Sequence, residues 1–134
     1  MLSEDKKSLS KVRLDLAKER LATAKMLAEY GDFKSAANRS YYAVFSAIRA
    51  VLALDGFDSK KHSGVIAEFR KLYIKTGLLD RELSYTINDL FEVRQSSDYN
   101  DFYVISKDDV LTQLQKAEGF INAVDAFLTT QYSK

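Results

Sequence analysis

The chain has 134 residues, 46% of them hydrophobic, which suffices for one hydrophobic core, so we expect a single domain over residues 1–134. It contains no cysteine and one histidine, His62, which excludes disulfides, thiolate metal sites and zinc centres built from several imidazoles. The 20 Lys and Arg residues and 19 Asp and Glu residues give a net charge of +1, so any site for a polyanion must be local.

The first predicted helix spans about residues 9–30. Gly31 tolerates the left-handed conformation that ends many helices, and Asp32 is a suitable N-cap for the next helix. Because the turn between them is short, the first two helices are expected to be antiparallel neighbours. The apolar stripe of the first helix has steps of three and four, at Leu14, Ala17, Leu21, Ala24 and Ala28.

The second predicted helix, residues 33–55, has the widest apolar face and is expected to be the most buried. Gly56 is expected to end it. A third helix is predicted to run to about residue 75, with Asp58 or Ser59 as its N-cap. The inward positions are Ala37, Tyr41, Val44, Ile48 and Val51 in the second helix and Val65, Ile66, Phe69, Leu72 and Tyr73 in the third.

The fourth predicted helix, residues 79–97, has an apolar stripe that is followed, four residues on, by Arg94. Residues 98–105 are predicted to form an ordered loop, with Phe102 packed into the core. Ser106 is the predicted N-cap of a fifth helix. The stripes are Leu83, Ile87 and Leu90 in the fourth helix and Val110, Leu114, Ala117, Ile121, Val124 and Leu128 in the fifth. Five helical patterns without a strand pattern predict an all-α, five-helix up-and-down bundle.

Arg94 is the first candidate functional residue, because a guanidinium at the end of a core stripe needs a partner. One interpretation is an internal ion pair with Asp98, which lies one helical turn later. The other is a contact to a phosphate or to RNA, since the planar guanidinium matches phosphate oxygens. Tyr99 follows directly, and an aromatic ring beside an arginine is suited to stacking a base.

Three further residues are candidates of second rank. His62 lies at the start of the third helix behind two lysines, where an anion could bind, and the alternative is a solvated or capping histidine. Arg39 interrupts an otherwise apolar face of the second helix, and Tyr42 offers a hydroxyl there; plain helix packing is the alternative for both. The segments around His62 and Asp98 both lie at helix ends, so they could share one end of the bundle.

Three motifs in register with the five helices resemble the HEPN domains of bacteria and archaea, specifically the small stand-alone group. They are residues 39–45 (RSYYAVF), 61–64 (KHSG, with Phe69 following) and 94–99 (RQSSDY). The resemblance implies an up-and-down helical bundle that homodimerises. It also implies a gene beside that of a minimal nucleotidyltransferase, with which such proteins form toxin–antitoxin pairs.

Many HEPN proteins are metal-independent ribonucleases, and their signature is an arginine followed, after four to six residues, by a histidine. Arg94 matches the arginine, whereas Asp98 and Tyr99 stand where the histidine is expected. Attack by a 2′-hydroxyl benefits from a group that moves a proton near pH 7, and tyrosine, with a pKa of about 10, does this poorly. The resemblance therefore implies a nucleotide- or RNA-binding cleft more strongly than cleavage.

The leading hypothesis is a nucleotide- or RNA-binding HEPN module that pairs with a minimal nucleotidyltransferase. In it, Arg94 holds phosphate, Asp98 orients Arg94, and Tyr99 stacks or hydrogen-bonds. One rival is a ribonuclease toxin in which Arg94 stabilises charge and His62 or Asp98 moves protons. A second rival is a structural interaction module in which Arg94 forms only an internal ion pair.

The sequence also carries expectations about location and partners. The apolar segments are shorter than a membrane span, and acids stand near the N-terminus where a signal peptide would be apolar. We therefore expect a cytoplasmic protein that contacts no membrane. The resemblance implies that it forms a homodimer. We also expect that it needs no metal or cofactor and does not read the grooves of duplex DNA.

Overall fold

A computed structural model describes residues 3–134; Met1 and Leu2, which the predicted single domain includes, lie outside the described residues. The described part contains five α-helices and no strand, which confirms the predicted all-α bundle. A π-helical turn, Arg70–Ile74, directly continues the third helix. The helices are α1 Glu4–Tyr30, α2 Phe33–Ala53, α3 His62–Phe69, α4 Glu82–Tyr99 and α5 Lys107–Tyr132. No helix of residues 3–134 is long and apolar enough to cross a membrane.

The connection between α1 and α2 forms as predicted. Gly31 has a φ of 97°, and its N–H donates to the carbonyl of Ala28 at 3.1 Å. The carboxylate of Asp32 accepts the N–H of Ser35 at 3.1 Å and so caps α2. Near the other ends of the two helices, the hydroxyl of Ser10 donates to the carbonyl of Ala50 at 2.7 Å. The two helices are therefore antiparallel neighbours.

The core forms around α2, whose buried residues outnumber those of any other helix. All predicted stripe positions of α1, α2, α4 and α5 are buried. In α3 and its π-helical extension, Val65, Phe69 and Tyr73 are buried, while Ile66 and Leu72 pack against the core from partly exposed positions. The apolar periodicity thus located the core correctly.

The start of α3 differs from the prediction. The helix begins at His62, and its N-cap, Lys61, makes no side-chain capping bond, so the prediction of Asp58 or Ser59 as the cap was wrong. The carboxylate of Asp58 lies instead against the guanidinium groups of Arg13 and Arg49, at 3.4 and 3.2 Å. These ion pairs hold residue 58 away from the first turn of α3.

The connection between α4 and α5 also differs. Asp98 and Tyr99 belong to the last turn of α4, so the loop is shorter than predicted. Phe102 is 94% exposed and does not fill the core; Ile105, at 6% exposed, is the buried residue of this loop. Because α4 continues to Tyr99, the loop begins two residues later than predicted, and Ile105 takes the core position expected for Phe102. Ser106 caps α5 as predicted, since its hydroxyl accepts the N–H of Asp109 at 3.0 Å.

Candidate functional site

Three helices bring five side chains together in what we call the Arg94 cluster: Tyr41, Tyr42 and Phe45 from α2, His62 from α3 and Arg94 from α4. Tyr41 and Phe45 are one helical turn apart, so their rings lie on the same side of α2, with ring centroids 6.2 Å apart. The cluster lies where the last two turns of α4 meet the start of α3 and the first half of α2.

The guanidinium of Arg94 is held over the two tyrosines. Its Cζ lies 5.1 Å from the ring centroids of both Tyr41 and Tyr42. Its Nη2 donates a hydrogen bond to the hydroxyl of Tyr42 at 3.0 Å. Cation–π contacts and a hydrogen bond therefore fix the orientation of the charged group.

Asp98 pairs with Arg94 from the next turn of α4. Its Oδ2 lies 3.3 Å from Nε of Arg94. Nε is nevertheless buried without a hydrogen-bond partner, so this contact is an ion pair with poor hydrogen-bond angles. The same Oδ2 accepts a hydrogen bond from the amide of Asn38 at 3.2 Å. The ion pair expected from the sequence is thus present, and an amide on α2 fixes it in place.

One edge of the Arg94 guanidinium stays open. The side chain is 17% exposed, against 21% for Asp98. Its Nη1 makes no hydrogen bond to any residue of the described range 3–134, and Nε is the only nitrogen of this group that is buried without a partner. Nη1 therefore reaches the surface with two N–H donors available to an acceptor from outside.

His62 packs into the cluster. The alternatives considered from the sequence, a solvated or a capping histidine, do not describe it, because its side chain is partly buried and the N-cap of α3 is Lys61. Its imidazole stacks on Phe45, with centroids 4.1 Å apart, and meets Tyr42 edge-on at 5.8 Å. Partial burial lowers the pKa of His62 below its usual value, and the positive charges of Arg94 and Arg49 lower it further. Both effects favour the neutral form of the imidazole, which can accept a proton.

Two clefts open on either side of His62. One, of about 280 Å³, lies between α2, α3 and α4, and Tyr41, Asn88 and Phe91 are among its walls. The other, of about 540 Å³, is lined by Arg49, Asp58 and Lys60 together with Phe45. A further groove of about 610 Å³, between the end of α1 and the start of α5, contains none of the predicted site residues.

The structure joins some of the predicted site residues and separates others. Arg94, Asp98, Tyr42 and His62 come together, so the segments around His62 and Asp98 both lie against α2, with His62 near its middle and Asp98 nearer its start. Arg39 is exposed and lines a neighbouring groove with Asp98. Tyr99 is 75% exposed and makes none of the cluster contacts described above.

Sequence reasoning missed the contributions of Phe45 and Asn38. The ring of Phe45 stacks on His62, and the available signals were its one-turn spacing from Tyr41 and its place in the motif of residues 39–45. Asn38 holds Asp98 from 60 residues away, which no local pattern reveals. The hydroxyl of Tyr41 is buried without a hydrogen-bond partner, a further polar group of the cluster left unsatisfied.

The chemistry of the cluster is that of anion and ring recognition. Residues 3–134 contain no group of three or more Asp, Glu or His side chains placed to hold a metal ion. A guanidinium with an open edge can hold a phosphate oxygen, and the adjacent rings and imidazole can contact a base or accept a proton. Of the two interpretations of Arg94, the ion pair is observed, and the phosphate contact stays a prediction.

Residues 10–127 match the family model described as HEPN domain. A Thermotoga maritima protein named "UPF0332 protein" is 38% identical over 112 residues, which are 84% of this chain and 85% of that protein. Two Methanocaldococcus jannaschii proteins are also similar. "Putative toxin MJ0142" is 37% identical and the match covers 77% of this chain and 69% of that protein. "Putative toxin MJ0605" is 29% identical, with 74% of each chain covered.

Proposed function

This chain belongs to the HEPN domain family, and on that premise we propose that it is a toxin-like HEPN protein that binds nucleotide or RNA at the Arg94 cluster. The toxin-like role is supported by the similarity to relatives that have the word toxin in their names. The binding role is supported by the geometry of Arg94.

The observation that carries the binding role is the open edge of Arg94. Nε and Nη2 face Asp98 and the Tyr42 hydroxyl, whereas Nη1 reaches the surface without a partner among residues 3–134. A guanidinium with only a structural role would stabilise the fold more if both of its edges were hydrogen-bonded inside the protein. The fixed orientation of Arg94 lowers the conformational entropy lost when a phosphate binds.

The neighbours of Arg94 then have separate roles. Asp98 orients the guanidinium, and Asn38 keeps the carboxylate from rotating away. His62 and Tyr42 provide a ring edge and a hydroxyl beside the phosphate position. Tyr99 is exposed enough to stack on a base from outside the cluster, and Arg39 lies within reach of a longer ligand.

The binding role is tested by titrating purified protein with ATP and with a short single-stranded RNA, using isothermal calorimetry. Arg94→Lys is the informative variant, because it keeps the charge and loses the planar fork. We expect Arg94→Lys to weaken binding at least tenfold and Arg81→Lys, an exposed arginine outside the cluster, to leave it unchanged. Equal affinities for the two variants and the wild type would remove Arg94 from the site.

A second candidate function, ribonuclease activity, is favoured by one observation: His62 and Arg94 contact the same two tyrosine rings. In this proposal the neutral imidazole accepts the proton of a 2′-hydroxyl, and Arg94 stabilises the charge on the phosphorus oxygens. Because the pKa of His62 is lowered, cleavage would increase with pH through that lowered pKa and then level off. RNA that stays intact with wild-type protein across this pH range would reject the proposal.

We also propose that the protein forms a homodimer and pairs with a minimal nucleotidyltransferase, as the family resemblance implies. Light scattering on the purified protein gives its molar mass against the 15.2 kDa of one chain. Co-expression with a nucleotidyltransferase from a neighbouring gene, followed by purification through a tag on either protein, tests the pairing. A molar mass of one chain and separate elution would count against these two proposals.

A further inference from the structure

Five cations line the junction of α1 and α2 in what we call the basic seam: Lys6, Arg13, Arg20, Arg39 and Arg49. The spacing of these residues along the sequence places those of each helix on one face. The three cations of α1 are seven residues apart and so lie on one face of the helix. In α2 the steps between Arg39, Tyr42, Ser46 and Arg49 are three, four and three, which is also a single face.

The contacts between the two helices hold these cations in one row. Nη1 of Arg13 donates to the carbonyl of Arg49 at 3.2 Å. Nη1 of Arg20 donates to the hydroxyl of Ser46 at 2.7 Å. The ammonium of Lys6 lies beside Gly56, just after α2. Since α1 rises about 1.5 Å per residue, the row extends for about 21 Å along it.

The seam has far more positive than negative charge. Among residues 3–134, only Asp58 forms ion pairs with the seam, through Arg13 and Arg49. Asp98 borders the groove beside Arg39 but is paired with Arg94. Within residues 3–134, neither Arg20 nor Arg39 has a carboxylate oxygen within 4 Å of its guanidinium nitrogens. A chain of net charge +1 therefore concentrates unpaired positive charge along one helix junction.

These cations also repel one another. Burial, and then the charge of Arg49, lower the pKa of Arg13; burial, followed by the charges of Arg39 and Arg49, lowers the pKa of Arg20. The repulsion between these like charges lowers the stability of the protein when no ligand is bound. A bound polyanion would remove that repulsion and release its own counterions.

The seam is continuous with the Arg94 cluster. The ring of Tyr42 lies near both Arg20, at 5.9 Å, and Arg94, at 5.1 Å. Arg49 borders the same cleft as His62. A linear polyanion bound along the seam would therefore also contact the Arg94 cluster, on the side of its aromatic rings.

We propose that the basic seam binds the phosphate backbone of a single-stranded RNA, extending the site at Arg94 beyond one nucleotide; this inference rests on the proposed function. Guanidinium groups match phosphate oxygens, and a row of about 21 Å is much longer than one nucleotide needs. The hydroxyl of Tyr42 and the edge of the His62 ring lie beside the row, where they can contact unpaired bases.

The test is the salt dependence of binding of a fluorescein-labelled, twelve-nucleotide single-stranded RNA, measured by anisotropy. The variants are Arg39→Gln, at an exposed position, and Arg20→Gln/Arg39→Gln, in which both side chains stay polar and lose their charge. Arg81→Gln, an exposed arginine outside the seam, is the control. For single strands, log K falls with log salt with a slope of about −0.7 for each phosphate contact, so each lost contact makes the slope less steep by about 0.7. We expect the slope to become less steep by about 0.7 for Arg39→Gln and by about 1.4 for the double variant, and to stay unchanged for the control.

The outcomes separate the two proposals. Unchanged slopes in both seam variants, with RNA binding still sensitive to Arg94→Lys, would overturn the seam and leave the Arg94 site. Reduced slopes with no effect of Arg94→Lys would support the seam and reject the Arg94 site. Absence of RNA binding by the wild type, or displacement of RNA by polyglutamate at equal charge concentration, would overturn the seam proposal.

Discussion

Replacing the Arg94–Asp98 pair in a double-mutant cycle measures how firmly the candidate site is held. The variants are Arg94→Met, which keeps the apolar stem, Asp98→Asn, which keeps the shape, and the combination of both. Each single variant also loses other contacts, such as the hydrogen bond from Arg94 to Tyr42. The cycle cancels these contributions and leaves the coupling energy between the two side chains.

The structure sets the expected coupling. At the 3.3 Å separation of Nε and Oδ2, two unit charges attract by about 1.3 kcal/mol at the dielectric constant of water and about 5 kcal/mol at 20. Exposed pairs at this helical spacing measure about 0.3–0.5 kcal/mol, and breaking a fully buried pair costs about 3–5 kcal/mol. With side chains 17% and 21% exposed, we expect a coupling of about 1.5 kcal/mol.

The assay is urea unfolding at pH 7 followed by circular dichroism, with one common slope for all four proteins. The Lys25–Glu118 pair is the matched control, because its charges are 3.0 Å apart but its side chains are 44% and 47% exposed. We expect about 0.5 kcal/mol or less for that pair. A coupling for Arg94 and Asp98 no larger than the control value would refute the conclusion that this guanidinium is pre-oriented.

Three further results are expected from stability measurements. Phe102→Ser should change the free energy of unfolding by less than about 0.5 kcal/mol, since the ring is exposed, whereas Ile105→Ala should cost about 2 kcal/mol or more; equal losses would place Phe102 back in the core. His62 binds more protons when unfolded, because its pKa is lowered in the fold, so stability should fall as pH decreases from about 6.5 through that lowered pKa. His62→Gln should show a smaller loss between pH 7.5 and 5.5, and parallel curves would argue against the lowered pKa. Gly31→Ala should destabilise the protein by about 1 kcal/mol, because the backbone there has a φ of 97°. Gly119→Ala should stabilise it by a similar amount, because that position is helical, and neither added methyl group would meet another atom within 4 Å. Differential scanning calorimetry measures both changes, and equal signs would contradict this reasoning.

The sequence predicted the helices because the signals for them are local. An apolar stripe such as that of α5 repeats within a few residues, and every position of it is buried. The caps at Gly31, Asp32 and Ser106 each involve partners no more than five residues away. The wrong cap for α3 shows the limit of such reasoning, since distant guanidinium groups draw Asp58 out of the capping position.

The sequence by itself determined the fold class, the core faces and the choice of Arg94 as a candidate, since periodicity and charge at a stripe's end require no knowledge of distant partners. Tertiary structure decided which groups surround Arg94. Tyr42 is 52 residues from it in the chain, and Asn38 is 60 residues from Asp98. The basic seam depends on the same information, because the rotation of α1 against α2 aligns its two sets of cations. Such contacts follow from how all five helices pack together, which no single segment encodes.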